Sequence, residues 1–267
     1  MSKSNRDSGR RERAAAIQAA QARTERNRRI ALIGAVVVVL AFIAAAVFWY
    51  SGSSKSGTAA SGKSYGKVPA RVVGLDGAPP KTISTAASTS GSAQALVIGK
   101  ASAPVKVVVY EDFLCPFCHE FEESSRDFLH AAAAKGKVEV EYRPFHLLQP
   151  QYSLDALNAF GAALKSATPT EALRFHDVLY DKQPYENASS FPGADDLASW
   201  AKGVGVDGDT VSAAVSADDK TYADAADALA TKAKVPGTPT IFVNGKTLAG
   251  SSVAQMVENL QTMIGNA

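Results

Sequence analysis

Cys115-Pro116-Phe117-Cys118 holds both cysteines of this chain. It sits at a junction of two kinds of sequence. The run Val105-Lys-Val-Val-Val-Tyr leads in, β-branched and strand-forming. The run His119-Glu-Phe-Glu-Glu leads out, helix-forming. A strand running straight into a helix places Cys115 near the helix N-terminus and Cys118 about one turn further in, on the same face. A thiol at that terminus feels the positive end of the helix dipole, which favours its thiolate. The pair therefore reads as a redox-active dithiol able to open and close a Cys115–Cys118 disulfide.

Three other readings compete with it. A structural bridge over so short a loop contributes roughly 2 kcal/mol, which a domain of this size does not need. A zinc site needs two more ligands from His119, His130, His146 and His176, the only histidines, and none lies at finger-like spacing. No metal ligands are assigned. Cys115-Pro-Phe-Cys118-His119 also matches the attachment pattern of c-type haem, but nothing nearby suggests a haem pocket.

Residues 30–50 carry no charge over 21 positions. As a helix they are about 31 Å long, enough to span a bilayer core. Trp49 and Tyr50 stand at the far end, where amphipathic rings favour the interface. Residues 1–29 contain nine Lys or Arg and three Asp or Glu, a net of +6. Positive charge stays in the cytoplasm, so residues 51–267 are expected outside, tethered to the cell membrane by a single transmembrane helix. The rival is a cleaved signal peptide, whose apolar region is normally shorter. The whole chain carries +2, so everything after residue 29 carries 2 − 6 = −4. Nothing in that balance argues for nucleic-acid binding.

Residues 51–94 read as a Ser/Gly-rich tether followed by an ambiguous segment, within which Arg71-Val-Val-Gly-Leu-Asp-Gly suggests a short hairpin. Residues 95–267 read as one α/β domain. A strand over 105–110 is followed by a helix over 116–133. The alternating Val138-Glu-Val-Glu-Tyr-Arg-Pro-Phe is a second strand. A helical block fills about 152–234, with helices near 153–166, 170–181, 194–203, 208–216 and 219–233. Asn244-Gly245 joins strands 240–243 and 246–249 in a hairpin. Val253, Met256, Val257, Leu260, Met263 and Ile264 then form one apolar helical face, expected to pack on the sheet.

Val107-Val-Val-Tyr-Glu-Asp-Phe-Leu-Cys-Pro-Phe-Cys and Val235-Pro-Gly-Thr-Pro-Thr-Ile-Phe-Val-Asn-Gly, in that order around a helical insertion, resemble the DsbA-like thioredoxin family, in its membrane-anchored actinobacterial form. The resemblance covers about residues 95–267. It implies a thioredoxin-like α/β fold with an inserted helical block. It implies Cys115 as attacking and Cys118 as resolving cysteine, Pro116-Phe117 as the active-site dipeptide, and a substrate-binding cis-proline loop at Thr238-Pro239. Pro236 is the competing position for that loop. The implied activity is protein thiol–disulfide oxidoreduction without metal or organic cofactor, with exported cysteine-containing proteins as substrates. Disulfide introduction is the favoured direction, and reduction or isomerisation is the alternative. Turnover implies a DsbB-like or VKOR-like membrane oxidase. A non-enzymatic binding domain is the rival of a different class. Strongly oxidising members carry His where this chain has Phe117, so a lowered but not extreme thiol pKa is expected.

Overall fold

A computed structural model describes residues 68–75, 81–83, 93–217 and 220–267. The basic segment 1–29, the apolar run 30–50, the Ser/Gly-rich tether 51–64 and part of the ambiguous segment after it lie outside the described residues. Among the described residues no helix is long and apolar enough to cross a membrane.

The scaffold is a six-stranded mixed sheet with strand order β1-β2-β4-β3-β5-β6. The strands are β1 (Ala70–Gly74), β2 (Gln94–Ile98), β3 (Val105–Glu111), β4 (Val138–Pro144), β5 (Thr240–Val243) and β6 (Lys246–Thr247). Among the described residues only β3 and β4 pair in parallel, from Val105 beside Val138 to Glu111 beside Pro144. A parallel pair needs a crossover, and α1 (Pro116–Ala134) provides it. The helical block comprises α2 (Gln151–Ser166), α3 (Pro169–Asp181), α4 (Ala194–Lys202), α5 (Gly208–Ser216) and α6 (Thr221–Lys232), and α7 (Val253–Gly265) closes the chain.

Local chemistry explains the boundaries. Helix α3 starts at a capping box, in which the Thr168 side chain accepts from the Glu171 amide and Glu171 accepts from the Thr168 amide, with Pro169 at the first helical position. Ser252 caps α7 by accepting from the Gln255 amide at 3.2 Å. Asn244 (φ 49°) and Gly245 (φ 77°) both take the left-handed conformation that a tight two-residue hairpin requires.

Two differences from the sequence reading stand out. Residues 70–74 do not fold into a local hairpin. They pair antiparallel with β2, Ala70 opposite Ile98 and Gly74 opposite Gln94, and so extend the sheet by a distant partner that local pattern does not specify. Helix α7 lies beside α1 and buries Val253, Val257, Leu260 and Ile264 in the core shared with Val107, Ile241 and Val243 of the sheet, as expected, but Met263 of the same expected face is left exposed.

The sheet is covered on both faces. Val107, Val109, Val140, Tyr142, Leu96 and Ile98 enter the main core with α1 to α3. The alternate residues Val108, Tyr110 and Phe242 pack against Ala226, Ala230 and Ala233 at α6 and its C-terminal end. The charged residues of β4 also point to that second face, yet Glu139, Glu141 and Arg143 are buried. They are buried because they are paired. Arg71 and Lys106 meet Glu139, and Arg143 meets Glu141 while donating to the Tyr110 hydroxyl at 2.9 Å and the Thr82 carbonyl at 2.8 Å.

Gly161 lets α2 and α6 approach closely. A Cβ there would stand 2.6 Å from Cγ of Tyr222, a buried ring whose hydroxyl donates to the Gln94 carbonyl at 2.8 Å. Gly161→Ala should therefore destabilise by about 1–3 kcal/mol through overpacking. Thermal unfolding of the variant should fall by several degrees with the thiol chemistry unchanged; an unshifted midpoint would show that the two helices give way freely.

Candidate active site

The carboxyl end of β3 delivers the chain directly into the dithiol. Cys115 is the N-cap of α1, with extended backbone (φ −70°, ψ 120°), and Pro116 fills the first helical position. The amides of Cys118 and His119 both donate to the Cys115 carbonyl at 3.1 Å, which starts the helix. Both cysteines are free thiols in this structure. Cys118 is wholly buried and Cys115 retains 4% exposure, while Phe117 between them is 60% exposed. Cys115 is thus only slightly more open than Cys118, because the loop before β5 lies over its sulfur.

That loop contains the cis peptide bond Thr238–Pro239, and Cys115 Sγ lies 3.4 Å from the Thr238 carbonyl oxygen. As a thiol, Cys115 donates to that oxygen. As a thiolate it accepts from the Cys118 thiol first, then from the Thr238 side chain and the Cys118 and Phe117 amides. Together these outweigh burial and bring it from the ordinary thiol value of 9.0 to about 6. Cys118 moves the opposite way: burial pushes it well up, followed by its interactions with Cys115 and the charge of Glu111. The helix-terminal amides foreseen from sequence do support Cys115, but the neighbouring thiol is the larger contributor.

Asp112 was not singled out from sequence, and it organises the loop. Its buried carboxylate accepts from the Leu114 amide at 2.8 Å, the Leu147 and Leu148 amides at 2.8 and 2.9 Å, and the Ser153 hydroxyl at 2.7 Å. It therefore ties the residue before Cys115 to the loop after β4 and to the start of α2. Gln183, beyond α3, braces the other side by donating to the Phe113 and Cys115 carbonyls at 3.0 and 3.1 Å. An acid directly after a strand and three residues before the first cysteine was the visible signal for Asp112. Gln183 offered none.

The haem-attachment pattern does not suit this geometry. Cys115 Sγ lies against the Thr238 carbonyl at 3.4 Å and Cys118 is packed in the core, so protein atoms occupy the space where a porphyrin edge would meet the two sulfurs. His119 Nδ1 is 3.0 Å from the Tyr180 carbonyl oxygen, and its Nε2 is 3.4 Å from Glu123.

A thioredoxin-like sheet carrying a dithiol at the first turn of the crossover helix defines a class of redox protein, and comparison places the chain within it. Residues 92–264 match the family model described as Thioredoxin, and the chain belongs to that family. Within the family it is DsbA-like. It resembles reduced DsbA from Mycobacterium tuberculosis (27% identity, TM-score 0.53, covering 63% of this chain and 91% of that one). It also resembles the reduced disulfide bond oxidoreductase DsbG from the same organism (28%, 0.52, 63% and 86%). Oxidised BdbD from Bacillus subtilis shares the fold (24%, 0.57, 64% and 90%). No curated protein matches the chain.

Two measurements test the site. Alkylation of Cys115 by iodoacetamide should rise with pH to a half-maximum near 6, the value at which its thiolate forms. Because the folded value lies below the ordinary one of 9.0, thiolate stabilisation of the reduced protein is fully present above pH 9 and is lost as pH falls through about 6. A half-maximum near 9 would show that Cys115 is an ordinary thiol. Asp112→Ala removes the acceptor for three amides and should cost on the order of 3 kcal/mol; denaturant titration giving less than a few tenths would show the loop is held otherwise.

Proposed function

We propose that this protein is a thiol–disulfide oxidoreductase that introduces disulfides into exported proteins while tethered to the cell membrane by residues 30–50, its catalytic domain extracytoplasmic. The observation that carries this reading is the asymmetry of the pair. Cys115 is poised as a thiolate at the start of α1 under Thr238, whereas Cys118 is buried and held protonated.

In the oxidised state a substrate thiolate attacks the Cys115 sulfur of the Cys115–Cys118 disulfide. A substrate–Cys115 bond forms, the Cys115–Cys118 bond breaks, and the departing Cys118 sulfur takes a proton. A second substrate thiolate then attacks the substrate sulfur of the mixed disulfide and expels Cys115 as the stabilised thiolate. Two electrons pass from the substrate thiols to the pair, which ends as a dithiol. The backbone around Thr238-Pro239 offers pairing to an extended substrate beside the sulfurs, since a proline brings no N–H of its own. A quinone-linked DsbB-like or VKOR-like membrane oxidase would take the electrons onward.

A lowered Cys115 pKa stabilises the reduced form and so makes the disulfide more oxidising. This favours oxidation over the reductase alternative. Phe117 supplies neither charge nor a hydrogen bond to the thiolate, so the pair should be milder than one with His at that position. Relatives named DsbA and DsbG share the fold at 27% and 28% identity, which supports the reaction type and leaves its direction to experiment.

The potential of the full-length chain against glutathione should fall between about −270 and −120 mV. In cells, Cys118→Ala should accumulate mixed disulfides with exported proteins, because the Cys115 thiolate can still attack a substrate disulfide and expel one of its sulfurs, and no Cys118 thiol remains to release the bound partner. A potential at or below about −270 mV sinks the oxidase reading, and trapping by Cys115→Ala in place of Cys118→Ala reverses the roles of the two thiols.

A further inference from the structure

A second constellation lies in the protein interior. Glu111 at the end of β3, Glu122 in α1 and His176 in α3 are each fully buried. One ligand-type atom from each lies within 4.8 Å of the others. His176 Nε2 is 2.8 Å from Glu111 Oε1. Glu111 Oε2 and both oxygens of Glu122 have no hydrogen-bond partner. The nearest cation to Glu122, Arg126, stands 4.0 Å away and commits its guanidinium to Asp177 at 3.3 Å and Asp181 at 2.5 Å.

Two carboxylates side by side in a low-dielectric interior repel and are costly to desolvate, and the one imidazole facing Glu111 leaves three of their four oxygens without a partner, so further positive charge belongs between them. The imidazole is set up to share it. Asp177 Oδ1 lies 3.4 Å from His176 Nδ1, leaving Nε2 directed at Glu111. A carboxylate on one ring nitrogen with the other facing a carboxylate cluster is how ligating histidines are oriented.

We propose that Glu111, Glu122 and His176 form a binding site for a divalent transition-metal ion, zinc being the representative case. Its charge of +2 is matched by the two glutamates, while Arg126 and Asp177 balance each other. Two oxygens and one imidazole nitrogen suit zinc or manganese, whereas calcium and magnesium prefer more oxygen ligands and no imidazole. Ligands about 2.1 Å from a tetrahedral ion sit about 3.4 Å apart. Loading therefore opens the Glu111–His176 contact from its 2.8 Å and exchanges protons held in the cluster for the ion. The site would clamp β3, α1 and α3 together, and it would touch the thiols only through the charge of Glu111 that helps to raise Cys118.

The test uses the full-length chain with Cys115 and Cys118 oxidised to their disulfide, so that thiolates do not compete for metal. After chelator treatment, zinc titration by calorimetry should show one equivalent bound and thermal unfolding should shift upward. Glu122→Gln and His176→Asn should each weaken binding at least tenfold. If either variant misfolds, cobalt loading of the wild type decides: visible bands from oxygen and nitrogen ligands, with no thiolate charge-transfer band, support the site. No zinc uptake by the oxidised wild type, or uptake unaffected in folded variants, overturns the proposal and leaves the cluster as a proton-holding network.

Discussion

Parallel pairing of β3 with β4 is the constraint from which the site follows. Neighbouring parallel strands need a crossover, and α1 begins almost as soon as β3 ends. The first turn of α1 therefore stands at the carboxyl edge of the sheet, where helix amides point outward and a sulfur can receive them. On the other side of β3, antiparallel β5 brings in the loop that ends at Thr240, and so lays Thr238 against Cys115. The dithiol and the loop above it are distant in sequence and adjacent because both flank one strand.

The edge loop would be unreliable without Asp112. Its carboxylate gathers amides from the residue before Cys115 and from the loop after β4, along with a hydroxyl from α2. Charge-assisted bonds of this kind are strong in a buried setting. They hold the backbone before Cys115 in one conformation, from which the two thiols acquire opposite character. Each sulfur acts on the other: the Cys118 thiol donates to the Cys115 thiolate, which in turn makes a second ionisation at Cys118 unfavourable.

Burial on the second face of the sheet shows how far charge can be hidden when it is paired. Strand β4 alternates apolar and charged residues, a pattern that reads as half-exposed. Here α6 and the segment near Thr82 cover the charged side, and Glu139, Glu141 and Arg143 find partners on β1, β3, β4 and that segment. Position along the strand was legible in the alternation. Its environment was not, because the covering groups come from residues 71, 82 and 226–233.

What the sequence determined by itself was whatever depends on neighbours along the chain. Periodicity, capping residues and turn chemistry placed the five helices of the block within two residues of their observed bounds and set the Asn244-Gly245 hairpin. The junction of a β-branched run with a helix-forming run put Cys115 at a helix start. The resemblance carried by two short motifs, rather than local pattern, pointed to Thr238-Pro239. Only tertiary structure decided what depends on contact between distant segments. It brought residue 70 beside residue 98, joined Asp112 to Leu147 and Ser153, and seated Gln183 under the Cys115 carbonyl. It also gathered Glu111, Glu122 and His176, which are separated by up to 65 positions, into one buried cluster. Local preference is written residue by residue, whereas a buried polar group takes its partner from wherever the fold happens to bring one.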